Sequence, residues 1–169
     1  RLHPHAFRRP GGEKRTAVVT RTREGVWVRA GIEDLVVMKT AKSAFEGFPR
    51  DRFTTLPETA DRLLATSVRA TWTYSRIDIP FHDRWSEVRD RLLGVFVDHD
   101  SRSVQHTLYD MGEAALETPD VEEIHLAMPN IHHIPVDLTR LGLENRNEVF
   151  VATSEPYGLI EATLRRGSK

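Results

Sequence analysis

Eight histidines are the first residues here that could do chemistry, and two pairs lie close in order, His3-Pro4-His5 and His132-His133. No HExxH spacing is present, and neighbouring histidines on an extended strand point to opposite faces, so neither pair reads as a chelate. No metal site is expected, and His82, His99, His106 and His125 carry no functional assignment. Zero cysteines exclude a thiolate nucleophile, a disulfide, an iron–sulfur cluster and Cys-ligated zinc. GxGxxG, P-loop and GxSxG patterns are also absent, which removes the usual marks of dinucleotide, triphosphate and acyl-transfer chemistry. What remains is a scattered polar set, Arg62, Gln105, Asn130 and His132, with the aromatic Phe45. Each has an ordinary reading. Arg62 fits a helix surface, Gln105 the first turn of a helix, and Asn130 a turn after Pro129.

The elements that must position these groups are read from periodicity. Lys14 to Arg23 alternates as a strand, Glu24-Gly25 is a hairpin signal, and a second strand runs from Val26 to about Lys39. Thr40 to Pro57 has loop composition but carries Phe45, Phe48 and Phe53. Glu58 to Thr66 reads as a short helix. Val68, Ala70, Trp72 and Tyr74 then alternate with polar residues as a strand with one buried face. The spacing switches to three and four for two helices, one with Trp85, Val88, Leu92 and Phe96 on one face, the next with Val104, Leu108, Met111 and Ala115. Ser101 or Ser103 can cap the second. A strand around Ile124, Leu126 and Met128 stops at Pro129, and two more, near 148–152 and 159–165, are joined by the turn Glu155-Pro156-Tyr157-Gly158. The order predicts an α+β domain, an antiparallel sheet with two helices packed on one face. The two free edges of such a sheet favour association with a similar unit.

Composition narrows the function classes. The 169 residues are 39% hydrophobic and 29% charged, with net charge −1, which fits one globular domain. The longest apolar run, Leu92 to Val97 interrupted by Gly94, is far shorter than the roughly 18 residues of a membrane span, so no membrane is expected as a partner. Residues 1–29 hold eight basic and two acidic groups, yet the bases are interleaved with Val18, Val19, Trp27 and Val28. That reads as a solvated sheet face and not as a nucleic-acid grip. The six carboxylates between Asp110 and Glu123 read as the outer face of a helix. The first residue is Arg1 and no signal peptide follows, so the chain reads as a piece cut from a longer polypeptide.

Several ordered segments resemble urate oxidase (uricase). They run from Leu2-His3-Pro4-His5-Ala6-Phe7-Arg8 through Gly31-Ile32-Glu33-Asp34-Leu35-Val36-Val37-Met38-Lys39-Thr40 and Phe45-Glu46-Gly47-Phe48-Pro49-Arg50 to Glu58-Thr59-Ala60-Asp61-Arg62. Ala70-Thr71-Trp72, Ser103-Val104-Gln105, Pro129-Asn130-Ile131-His132-His133, Glu148-Val149-Phe150 and Pro156-Tyr157-Gly158-Leu159-Ile160 continue in the same order. The resemblance implies a tunnelling fold (T-fold) that assembles with further T-fold domains into a barrel, as a homotetramer of full subunits. It implies that residues 1–169 form one such domain, the C-terminal half of a two-domain subunit. The absent N-terminal half, as a missing segment or a separate chain, would bring a Lys and a Thr-Asp pair to a shared site.

Residue by residue, the resemblance makes Phe45 the ring that stacks on a purine, and Arg62 and Gln105 the clamp on its heteroatoms, with the Val104 backbone amide as a further donor. Asn130 and His132 become the groups facing oxygen and water, His132 as the proton relay. The types suit urate, a flat anion rich in carbonyl and N–H groups: a guanidinium fork pairs with two acceptors, and a carboxamide both gives and accepts. The implied reaction is cofactor-free oxidation of urate by dioxygen to 5-hydroxyisourate and hydrogen peroxide. The rival expectation is a non-catalytic T-fold module that binds a purine or pterin. Phe53, Ala60, Pro49 and Pro57 depart from the family's usual residues, and none is an expected ligand contact. Ser168-Lys169 falls one residue short of a peroxisomal Ser-Lys-Leu signal, so a bacterial cytoplasm is expected, or a peroxisome for a eukaryotic source.

Overall fold

The computed structural model describes residues 2–153 and 158–167. Eight strands and two helices follow in the order β1 (Ala6–Arg8), β2 (Lys14–Arg21), β3 (Val26–Lys39), β4 (Leu64–Tyr74), α1 (Phe81–Asp98), α2 (Val104–Leu116), β5 (Val121–Ile131), β6 (His133–Pro135), β7 (Phe150–Ala152) and β8 (Gly158–Arg165). The main sheet is antiparallel in the order β1-β3-β4-β5-β8, with β2 also on β3. Both β1 and β2 use the same edge of β3: β2 pairs with residues 26–33 and β1 with 37–39. Between them the register on β4 shifts at Ile32/Leu35, where Asp34 has a φ of 57°. A bulge at that point bends a 14-residue strand so that one edge serves two partners.

Alternation on β4 and β5 decides which face carries the core. Leu64, Val68, Ala70, Trp72 and Tyr74, with Ile124, Leu126 and Met128, are buried beneath the helices. Trp85, Val88, Leu92 and Phe96 of α1 and Val104, Leu108, Met111 and Ala115 of α2 complete the same cluster, as their spacing predicts. The Trp85 indole N–H donates to the Gly31 carbonyl at 2.9 Å, a polar anchor inside an otherwise apolar contact. Ser103 is the cap of α2, its hydroxyl accepting from the His106 amide at 3.1 Å. Among the described residues no helix is long and apolar enough to cross a membrane.

Three expectations need correction. No helix forms over 58–66: residues 58–63 are irregular and β4 already begins at Leu64. The cause is long-range pairing, since Phe45 and Thr59 exchange backbone bonds (2.8 and 3.1 Å) and the Arg62 amide donates to the Ser43 carbonyl. Secondly, β5 runs through Pro129 to Ile131, so Asn130 lies in a strand and not in a turn. Pro129 stays in register with Leu159 of β8, and the ladder to β4 lapses beside it, between the Thr66–Asn130 and Arg69–Ala127 pairs. Thirdly, β7 leaves the main sheet and pairs with β6 in a separate two-stranded ribbon. β2 is exposed along nearly its whole length, Val18 and Val19 included, in keeping with the solvated sheet face read from the sequence. The acidic stretch is helical only as far as Leu116, with Glu122 and Glu123 in β5. The turn expected at residues 155–158 falls mostly on Glu155, Pro156 and Tyr157, which lie outside the described residues.

Candidate active site

Three segments meet where α2 begins, at one end of the helix-covered face. The loop after β3 is tied to the approach of α2: the Ala44 amide donates to the Ser101 carbonyl, the Ser101 amide to the Lys42 carbonyl, and the Glu46 amide to the Arg102 carbonyl. The same loop carries Phe45 and, through its pairing with Thr59, holds the segment that ends in Arg62. The last residues of β5 supply Asn130, on the face that holds Leu126 and Met128, and His132 follows directly.

All six predicted residues, Phe45, Arg62, Val104, Gln105, Asn130 and His132, line one cavity of about 490 Å³, together with Leu56, Pro57, Thr59 and Ile160. That size lies within the roughly 300–1,000 Å³ of small-molecule sites. A second cavity of about 470 Å³ adjoins it and shares Thr59, Arg62, Asn130 and His132. The larger cavity of about 610 Å³ on the opposite sheet face, lined by Ser67, Arg69 and Ala127 among others, contains none of the six. Size does not single out the cavity that holds the six; their convergence in one place does.

Arg62 is the most constrained group in the cavity. Its Nε donates to the Ala44 carbonyl at 3.2 Å, and its guanidinium lies 5.3 Å from the centre of the Phe45 ring. Its Nη2 is buried and has no hydrogen-bond partner. Burial pulls the Arg62 pKa below its ordinary value. A desolvated cation with an unused donor is a group prepared for an acceptor, because leaving it unpaired carries a cost that a ligand removes. Phe45 in turn stacks on Phe48 at 4.5 Å and 16°, which fixes the plane of its ring. Val104 and Gln105 occupy the first turn of α2, where helix geometry leaves backbone N–H groups without intrahelical partners and places the positive end of the dipole. Val104 is buried and Gln105 exposed. The cavity therefore offers one cation, a helix N-terminus, two carboxamides, an imidazole and an aromatic ring.

Comparison with known proteins settles the lineage. A family model described as Uricase matches residues 28–161. The chain belongs to the uricase family. It is 48% identical over 165 residues to the uricase of Arthrobacter globiformis, covering 97% of this chain and 55% of that protein. The uricase of Oryctolagus cuniculus is 41% identical, with 97% of this chain and 57% of that protein covered. The chain thus spans about half the length of the curated relatives it matches. The crystal structure of the Arthrobacter globiformis uricase superposes with a TM-score of 0.89 at 48% identity, covering 99% of this chain and 59% of that one. A Bacillus sp. TB-90 urate oxidase, at 24% identity and a TM-score of 0.73, shares the fold. The antiparallel sheet with its two helices is the uricase T-fold, and by itself it is not a closed barrel.

In the two histidine pairs, the rings of His3, His5 and His133 meet backbone and hydroxyl groups. The His133 Nδ1 lies 3.2 Å from the Ile131 carbonyl, while the His132 carbonyl accepts from the Thr153 amide. The His3 Nδ1 accepts from the His5 amide, and the His5 ring faces the Thr40 hydroxyl. Residue-by-residue reasoning missed Leu56, Pro57, Thr59 and Ile160 as cavity walls, and Pro57, set apart as no ligand contact, lines the cavity. Ile160 was legible only in its β8 alternation, and Thr59 only in its place within the Glu58-to-Arg62 segment.

Proposed function

We propose that this chain supplies the purine-binding side of a urate oxidase site, as the C-terminal half of a two-domain subunit. The observation that carries the reading is the buried, unpaired Arg62 Nη2 in a cavity shared with Gln105, Phe45, Asn130 and His132. In this reading the Arg62 fork and the Gln105 carboxamide grip the edges of the urate anion. The Val104 amide adds a donor at the helix N-terminus, and Phe45 covers one purine face. Asn130 and His132 stand on the oxygen and water side, Asn130 orienting the small molecule and His132 passing protons. The uncovered purine face is left for dioxygen.

The reaction balances without a cofactor. The urate monoanion gives two electrons to dioxygen, water supplies the hydroxyl that ends on the purine and gives up one proton, and that proton with a second taken from the medium completes hydrogen peroxide. Urate, dioxygen and water thus become 5-hydroxyisourate and hydrogen peroxide. The protein holds the electron-rich anion, positions oxygen against it and moves protons. The absent N-terminal half brings the Lys and the Thr-Asp pair of the relay, and full subunits assemble as a homotetramer.

The test uses the full protein that contains this chain, supplied with urate in air. Urate loss and hydrogen peroxide should appear in a one-to-one ratio. Urate binding without peroxide would replace this reading with a non-catalytic purine module, and no urate binding at all would end both.

A further inference from the structure

A second cluster lies outside the cavity, where the end of α1 meets the first turns of α2. His99 is the residue that ends α1, its amide donating to the Val95 carbonyl. His106 and Asp110 are four residues apart on α2, so they project side by side from one helix face. The His99 Nδ1 is 3.0 Å and the His106 Nε2 3.8 Å from the Asp110 Oδ2. One donor atom from each of the three residues lies within 4.8 Å of the others, and no other such group of three occurs among the described residues. We propose that His99, His106 and Asp110 bind one divalent transition-metal ion of the zinc class, with water completing the coordination.

Donors on a tetrahedral zinc with bonds of about 2.0–2.1 Å sit roughly 3.3 Å from one another, and the separations observed bracket that value. Exposure of the side chains is 11% for His99 and 38% each for His106 and Asp110, so the pocket is closed at its base and open to solvent at its rim. The chemistry around the ring points the same way. His99 faces the Asp110 carboxylate through Nδ1, the ring nitrogen that would ligate the ion. Asp110 is approached by two imidazoles and by no Lys or Arg among the described residues. Binding at the His106 Nε2 moves that ring's proton to Nδ1 and releases the long 3.4 Å bond from the Arg102 amide. None of the three residues lines the cavity that holds Arg62 and Gln105, so the site is structural in kind and independent of urate chemistry.

The experiment uses the full protein, stripped with a chelator and titrated with cobalt(II), then zinc(II). Wild-type protein should bind one cobalt per chain with the visible d–d bands of a low-coordinate site, and zinc should displace it. His106→Ala and Asp110→Asn should each lose that equivalent or weaken it at least tenfold. Both residues are partly exposed on a helix surface, so the metal-free melting temperatures should match wild type and exclude misfolding as the cause. His132→Ala should retain the bands. Absence of the bands in wild type would show that the cluster shares only a proton. Unchanged stoichiometry and spectrum in both variants would place the metal elsewhere. Either result overturns the proposal.

Discussion

Replacing Arg62 by alanine is the sharpest perturbation of the proposed urate site. A hydrogen bond to a charged group contributes about 1.5–3 kcal/mol, and the proposed clamp uses two from one guanidinium. Its Nη2 is already buried and unpaired, so ligand binding also relieves an existing desolvation cost. A loss of about 3–5 kcal/mol follows, roughly two to three and a half orders of magnitude in Kd. Arg62→Lys keeps the charge but not the planar fork, and should fall between alanine and wild type. The protein itself should tolerate both changes. Alanine gives up the bond to the Ala44 carbonyl, about 1 kcal/mol, while removing a desolvated charge that no carboxylate among the described residues pairs with. Anaerobic calorimetry with urate on the full protein measures Kd without turnover, and a urea melt checks folding. A folded Arg62→Ala variant that binds urate within about threefold of wild type would refute the clamp.

Three further outcomes test the remaining links. His132→Ala should lower kcat far more than it weakens anaerobic urate binding, and oxidation at the wild-type rate would remove His132 from the relay. Ser103→Ala deletes the cap of α2 and should cost about 0.5–2 kcal/mol in a urea melt, with a weaker urate Kd because the Val104 and Gln105 turn loosens. Gly31→Ala should destabilise by roughly 1–3 kcal/mol, because its new Cβ would meet the Thr16 hydroxyl at 2.6 Å and the Ala70 carbonyl oxygen at 2.7 Å. A melt unchanged by Gly31→Ala would contradict the close approach of β2, β3 and β4.

The regular elements were legible because each is amphipathic at its own period. The three-and-four spacing of Trp85 to Phe96 and of Val104 to Ala115, and the alternation of Val68 to Tyr74, can be read locally, and all of these residues are buried. What failed to be legible depends on distant partners. The Glu58–Thr66 segment has helix-compatible residues, but bonds to Ser43 and Phe45 hold it out of a helix. Pro129 suggests a strand end until β8 is known to lie alongside it. The cavity follows the same rule. Phe45, Arg62, Gln105 and Asn130 look ordinary one at a time, and only the family resemblance joined them before the fold did. The His106–Asp110 half of the second cluster was visible as an i,i+4 pair, whereas His99 joins it only through the packing of α1 on α2.

The composition of the cavity explains why half a subunit is not a complete catalyst in the reading proposed here. Among the ten residues that line it are a guanidinium, two carboxamides and an imidazole, but no carboxylate and no lysine. Such a set can hold an anion, and in that reading it has one general acid–base side chain, His132. Urate oxidation must collect two protons for peroxide and deprotonate the attacking water, so His132 needs a neighbour to take up and return what it carries. The main sheet meanwhile leaves β2 with both faces exposed at one side and β8 with Leu159 exposed at the other. Unpaired edges of this kind are where strands of further domains add. Joining those edges would bring new side chains to the open rim of the cavity. Binding and proton transfer would then be divided between halves, and the anion would be held by a surface that cannot oxidise it until the second half arrives.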